Sequence, residues 1–263
     1  MSTWIFLRGL TRESRHWGTL PELWASRGLG QPLLIDLPGN GVVRHVAVPA
    51  TVHGMMEAVR ATAHASGAPG PWRVLAMSLG AMVATHWAQA WPADVAELVL
   101  INTSMRPFST LSERLLPLNW VALLGMAQHW DDRVRCERTV HRLTCERLDT
   151  READLAAWVA IAQSAPVTRK AAWRQLLAAA RFRARTIAPT CPTLIVSSDA
   201  DRLVDPACSQ HLAAAWRAPN VSHVRHPWAG HDLPHDDAPW LCDTVAAFAQ
   251  GEKNRRVADA HRR

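Results

Sequence analysis

Tyrosine is missing altogether from this 263-residue chain, although it carries 13 tryptophans. Also missing is any stretch approaching the roughly 20 consecutive apolar residues of a membrane span, which excludes a helical membrane protein. The opening residues, Met1-Ser2-Thr3-Trp4-Ile5-Phe6-Leu7-Arg8, have no basic stretch ahead of their apolar run and no cleavage site behind it. They read as a first strand, not as a secretory signal. The five cysteines (136, 145, 191, 208 and 242) are odd in number, scattered and without a CxxC pair. That pattern argues against a disulfide framework and for buried, reduced thiols in a cytoplasmic protein. The formal net charge is +6, yet no basic run is interleaved with aromatics, so no nucleic-acid partner is expected. A basic surface of this kind suits the steering of acidic or carrier-bound substrates.

What is present points to a soluble globular protein, with 48% hydrophobic and 20% charged residues in a length suited to one large α/β domain with an insertion. The most informative stretch is Trp72-Arg73-Val74-Leu75-Ala76-Met77-Ser78-Leu79-Gly80-Ala81-Met82-Val83-Ala84. An apolar run ends in Ala-Met-Ser-Leu-Gly and a helix-favouring segment follows at once. This reads as strand, sharp turn and helix, with Ser78 at the tip. A turn that tight crowds strand against helix, so the residues two before and two after the serine must be small; here they are Ala76 and Gly80. Standing alone, the same pattern also fits a serine that caps a helix.

The stretch resembles the nucleophile elbow of the α/β-hydrolase family, G-x-S-x-G, with Ala76 in place of the first glycine. Further motifs of that family follow in its order. Arg8-Gly9-Leu10 stands where the family has His-Gly-x after its first strand; by that resemblance Leu10 and Leu79 supply the two oxyanion-hole N–H groups. Arg8 replaces the usual histidine, so its local support must differ. Asp36-Leu37-Pro38-Gly39-Asn40-Gly41 resembles the family's D-x-P-G-x-G turn, and Asp36 is expected to cap turn amides. Asp201-Arg202-Leu203-Val204 matches the D-x-x-V/I context of the family's catalytic acid, leaving Asp199 as a decoy and Asp205 as a helix cap. Gly230-His231 resembles the loop of the catalytic histidine. The resemblance implies a Ser78, Asp201, His231 triad in the family's chain order.

Strands are expected near residues 4–7, 32–35, 72–77, 98–102, 191–198 and 220–225, alternating with helices in the first half, which implies a parallel sheet. Residues 106–185 contain no convincing strand; segments 111–126, 134–147, 152–164 and 168–182 read as helical. The expected organisation is an α/β core of residues 1–105 and 186–250, a mostly parallel sheet with helices on both faces, an inserted helical cap of residues 106–185, and a disordered tail from 251 to 263. The arginine-rich face from Asp131 to Arg151 reads as solvated surface, or less simply as a contact for a carrier protein. His223, His226, His231 and His235 lie close in sequence. Zinc needs converging ligands, often with cysteine or carboxylate, and no closed set is visible, so no metal is expected and no cofactor either.

The function that the resemblance implies is acyl transfer to water by a small capped serine carboxylesterase, on a small-molecule ester or a carrier-bound acyl substrate such as the diacid ester demethylated in biotin synthesis. Serine at the elbow, where an alkyl-enzyme ester would need aspartate, argues against haloalkane dehalogenase and epoxide hydrolase chemistry. Two alternatives stay open: a carbon–carbon hydrolase or acyltransferase on the same fold, and a binding protein that keeps the fold without activity.

Overall fold

A computed structural model describes residues 3–260 of the chain, with side chains through Glu252. Six short segments form strands: β1 (Trp4–Leu7), β2 (Leu33–Ile35), β3 (Trp72–Met77), β4 (Val95–Ile101), β5 (Thr193–Ser198) and β6 (Val221–His226). All neighbours pair in parallel, in the order β2-β1-β3-β4-β5-β6. The central strands are buried on both faces, as a sheet covered on both sides requires. Their alternation separates two cores. Ile5, Leu7, Val74, Leu98 and Leu100 face one side, and Trp4, Phe6, Leu75, Val99 and Ile101 the other.

The helices are α1 (Leu20–Ser26), α2 (Val52–Ala65), α3 (Leu79–Ala90), α4 (Leu111–Arg114), α5 (Trp120–Gln128), α6 (Arg133–Thr144), α7 (Arg151–Ser164), α8 (Arg169–Arg181), α9 (Ala207–Ala215), α10 (Leu233–Asp236) and α11 (Ala238–Ala260). α2, α3 and α8 contribute to the first core, α1 and α11 to the second. Trp24 of α1 stands edge-on to both Trp4 and Phe6, at centroid distances of 5.0 and 4.9 Å. Such pairs add to the large apolar area that each ring buries. Among the described residues, no helix is long and apolar enough to cross a membrane.

Two expectations need correction. The helix anticipated over residues 111–126 is broken into α4, a 3-10 turn at Pro117–Asn119, and α5. Pro117 explains the break, because it disfavours helical backbone at the residue before it, and Leu116 is accordingly extended (φ −56°, ψ 127°). The tail, expected to be disordered from Gly251, instead continues α11 to Ala260, in keeping with its run of charged helix formers; residues 261–263 lie outside the described residues.

Successive strands run to opposite sides of β1: β2 lies on one flank and β3 on the other. In open parallel sheets this reversal leaves a crevice at the carboxyl ends of the strands, where ligands bind. Ser78 follows β3 at that end.

Candidate active site

Ser78 occupies the left-handed region, with φ 54° and ψ −118°. Only a surrounding structure that over-determines the turn keeps a non-glycine residue there. The determinants are visible on every side. The Ser78 N–H donates to the Ile101 carbonyl at 3.0 Å, and the Ser78 carbonyl accepts from Thr103 Oγ1 at 3.1 Å. A Cβ on Gly80 would lie 2.5 Å from the carbonyl oxygens of Leu7 and Arg8, so any side chain there would drive α3 off β1. The requirement for a small residue after the serine is thus met by direct backbone contact. Gly9 serves in the same way: a Cβ there would stand 3.1 Å from Ser78 Cβ. Closeness to the serine, and not a positive φ, is what makes a side chain at Gly9 a tight fit.

That contact brings the loop after β1 against the elbow, with Leu10 next in sequence. Leu79 opens α3, where first-turn N–H groups have no carbonyl partner within the helix. The loop is fixed from above by α8. The Thr11 N–H donates to Gln175 Oε1 at 2.8 Å, while Gln175 Nε2 donates to Asn40 Oδ1 at 2.8 Å and to the Pro38 carbonyl at 3.1 Å. Asn40 Nδ2 in turn donates to the Arg12 carbonyl at 2.8 Å. Asp36 caps turn amides as expected, accepting from the N–H groups of Ser14 (2.7 Å) and Val42 (3.0 Å).

After β5 and β6, on the same carboxyl edge of the sheet as Ser78, His231 Nδ1 and Asp201 Oδ2 are 2.7 Å apart and both side chains are buried. An ionised carboxylate only accepts, so Nδ1 donates the proton of this bond. The other oxygen of Asp201 accepts the N–H groups of Leu203 and Val204, each at 2.9 Å. The remaining acidic candidates are engaged elsewhere. Asp199 pairs with Arg225 at 2.9 Å, and Asp205 accepts the Ala207 N–H at the start of α9. Of the other histidines in the cluster, His223 bonds Ser197 Oγ at 2.8 Å, and His226 accepts the Ala229 N–H at 2.9 Å and faces Asp237 at 3.2 Å.

Asn102 connects the serine and histidine ends. It holds φ 44°, its side-chain amide donates to the His231 carbonyl at 2.8 Å, and its Oδ1 accepts the Ser198 N–H at 2.9 Å. The tripeptide Ile101-Asn102-Thr103 therefore grips the backbones of Ser78 and His231 together.

Sequence reasoning missed a fully buried ion pair at the site. Arg8 reaches Asp232 with two bonds, Nη1 to Oδ1 at 2.9 Å and Nη2 to Oδ2 at 2.6 Å, and its guanidinium lies over the Trp17 ring at 4.8 Å. Burial works against ionising Asp232, but the Arg8 charge and its hydrogen bonds prevail and hold the carboxyl well below its ordinary range. The pair ties the loop after β1 to the residue that follows His231. This is how the chain supports that loop without the family's histidine at position 8. Next to it, His16 is held well below the ordinary histidine range, first by burial and then by the Arg12 and Arg8 charges. Arg12 Nη1 lies 3.0 Å from His16 Nε2 and 2.6 Å from Glu137 Oε2 of α6. A narrow cavity opens here between Thr11, Arg12 and His16 below and Trp130, Glu137 and Ile161 above.

The family described as "Serine aminopeptidase, S33" matches residues 35–238. The sequence is 30% identical over 241 residues to "Putative carbamate hydrolase RutD" of Klebsiella pneumoniae (strain 342), covering 88% of this chain and 77% of that protein. The same identity and coverage hold for the protein of that name from Klebsiella variicola (strain At-22). Among solved structures, the enol-lactonase from Burkholderia xenovorans LB400 superposes with a TM-score of 0.74 at 16% identity, covering 95% of this chain and 92% of the other. A thermophilic esterase from Thermogutta terrifontis gives 0.72 at 19%, covering 95% and 90%. At such identities these likenesses speak for the fold.

Proposed function

The chain belongs to the serine aminopeptidase S33 family of α/β-hydrolases, and from that premise we propose that it is a serine hydrolase that transfers the acyl group of a carboxylic ester to water through an acyl-enzyme. A serine hydroxyl attacks only when a base removes its proton as the new bond forms. In this reading His231 Nε2 takes the Ser78 proton and returns it to the departing alcohol. Asp201 holds the imidazole tautomer and steadies its charged form. The Leu79 and Leu10 N–H groups receive the oxyanion; losing one such donor raises the barrier by about 2.7–4 kcal/mol. The observation that carries the reading is the buried 2.7 Å Asp201–His231 bond, joined through Asn102 to the strained serine turn.

The test is a panel of p-nitrophenyl esters of graded acyl length, run with the whole chain and with Ser78→Ala. Turnover by the parent, its loss in the variant and a nearly unchanged melting temperature are the expected results. No turnover and no fluorophosphonate adduct on Ser78 would favour a binding protein instead. Similarity to the RutD proteins supports a second reading, a carbamate as the substrate. Matched p-nitrophenyl carbamates in the same panel separate the two. The exposed arginines around α6 suit an acidic carrier for the acyl group, which supports carrier-bound substrates as part of the proposal.

A further inference from the structure

Away from the serine turn, a second set of side chains converges where α6, α7 and α10 meet. His141 stands on α6, Cys145 directly beyond its end, Asp154 on α7 and His235 on α10. One ligand atom from each of His141, Cys145 and His235 lies within 4.8 Å of the other two. Asp154 Oδ2 is 2.9 Å from His235 Nε2 and 3.6 Å from His141 Nε2. The His141 side chain is only 1% exposed, yet both of its ring nitrogens are without a hydrogen-bond partner. Leaving such a group unpaired in the interior is costly, and structures seldom tolerate it without a reason. No role in the proposed ester cleavage accounts for this cluster.

We propose that His141, Cys145, Asp154 and His235 bind one divalent cation of the zinc class. Two imidazoles, a sulfur and a carboxylate oxygen make a borderline-soft donor set of the type that zinc takes in tetrahedral sites. Tetrahedral bonds of about 2.0–2.3 Å place ligand atoms roughly 3.3–3.6 Å apart. The two Asp154–imidazole separations, 2.9 and 3.6 Å, bracket that spacing. The widest pair closes with a movement of about an ångström. Binding breaks the Cys145 S–H bond: the proton leaves to solvent and the sulfur's electron pair forms the bond to the metal, with no change of oxidation state.

The location gives the cation a mechanical role. His235 lies four residues beyond His231, and Asp232 donates its N–H to the Thr144 carbonyl at 2.8 Å, next to Cys145. A metal here fastens the histidine loop to α6 and α7 from outside the reaction centre. It fell outside the sequence reading because that reading weighed only the histidines clustered between 223 and 235, whereas His141 and Cys145 come from far upstream.

The test strips the whole chain with a chelator, dialyses it, and titrates it with cobalt(II) as a spectroscopic stand-in for zinc. One equivalent should bind, with the sulfur-to-cobalt charge-transfer band and intense visible bands of a tetrahedral thiolate site, and zinc should displace it. Cys145→Ser should remove the charge-transfer band while Cys136→Ser keeps it. His141→Gln should weaken binding more than tenfold. Zinc should raise the melting temperature of the parent and not that of a His141→Gln/His235→Gln double variant. If the stripped parent takes up no metal at equimolar cobalt or zinc, or if the band survives in Cys145→Ser, the proposal is overturned. The parent measurement decides even if a variant does not fold.

Discussion

Arg8 and Asp232 show how much a single position can change. A buried carboxylate that loses its partner keeps its desolvation cost, and breaking such a pair typically costs about 3–5 kcal/mol. Arg8→Ala should therefore lower the urea-unfolding free energy by that order, and Arg8→Lys should recover only part, because an ammonium cannot make the two parallel bonds that the guanidinium makes at 2.9 and 2.6 Å. Asp201→Asn makes a separate prediction. The amide oxygen can still accept from Leu203 and Val204, but an amide NH2 facing Nδ1 favours the wrong imidazole tautomer. Turnover should fall by roughly 10⁴-fold at nearly constant stability, while Asp205→Asn leaves it intact. Full activity in Asp201→Asn, together with loss in Asp205→Asn, would move the acid to Asp205. Ser78, Asp201 and His231 could be proposed from the sequence because each stands in a short local pattern. Arg8–Asp232, Asn102 and Gln175 could not, because their meaning depends on partners 129 to 224 positions away, a separation that no local motif encodes.

At the level of elements, the strand–turn–helix unit around Ser78 is the least forgiving. Gly80→Ala places a methyl 2.5 Å from two carbonyl oxygens of β1 and its loop, and backbone cannot retreat as a flexible side chain can. Overpacking of that kind typically costs about 1–3 kcal/mol. Thermal unfolding of this variant should show a drop of that order, with ester turnover lost as well, because the same displacement moves Gly9 and Leu10 away from the serine. The central strands were readable as apolar runs buried on both faces, whereas the edge strand β6 carries polar residues and is only partly buried. Of the helices between β4 and β5, four were read and five are present, since a proline at 117 cuts the stretch 111–126 into α4 and α5. α5 has no buried residue, and Leu118, Val121 and Leu124 around it stay exposed, so periodicity there gives little guidance to what the helix packs against.

For the molecule as a whole, buried histidines set the acid limit. His16 is neutral in the folded state, its affinity for protons lowered chiefly by burial. The unfolded chain regains the ordinary value near 6.5, so it binds more protons than the native state once the pH drops below that point. Stability is thus present above about pH 6.5 and lost as pH falls toward the folded value, by up to about 1.4 kcal/mol per pH unit from this group. His86 and His223, also lowered mainly by burial, add in the same direction. Chemical unfolding measured at pH 7, 6 and 5 should show the decline, and His16→Gln should flatten it.

All five sulfhydryls are enclosed as well, and burial pushes Cys191 and Cys242 up to about 11 and Cys208 up to about 12. An alkylating reagent needs an accessible thiolate. In native buffer it therefore finds its target only in those molecules that have momentarily come apart. The interior carries its own stopwatch, and the pace at which iodoacetamide marks the protein counts how often the chain lets go of itself.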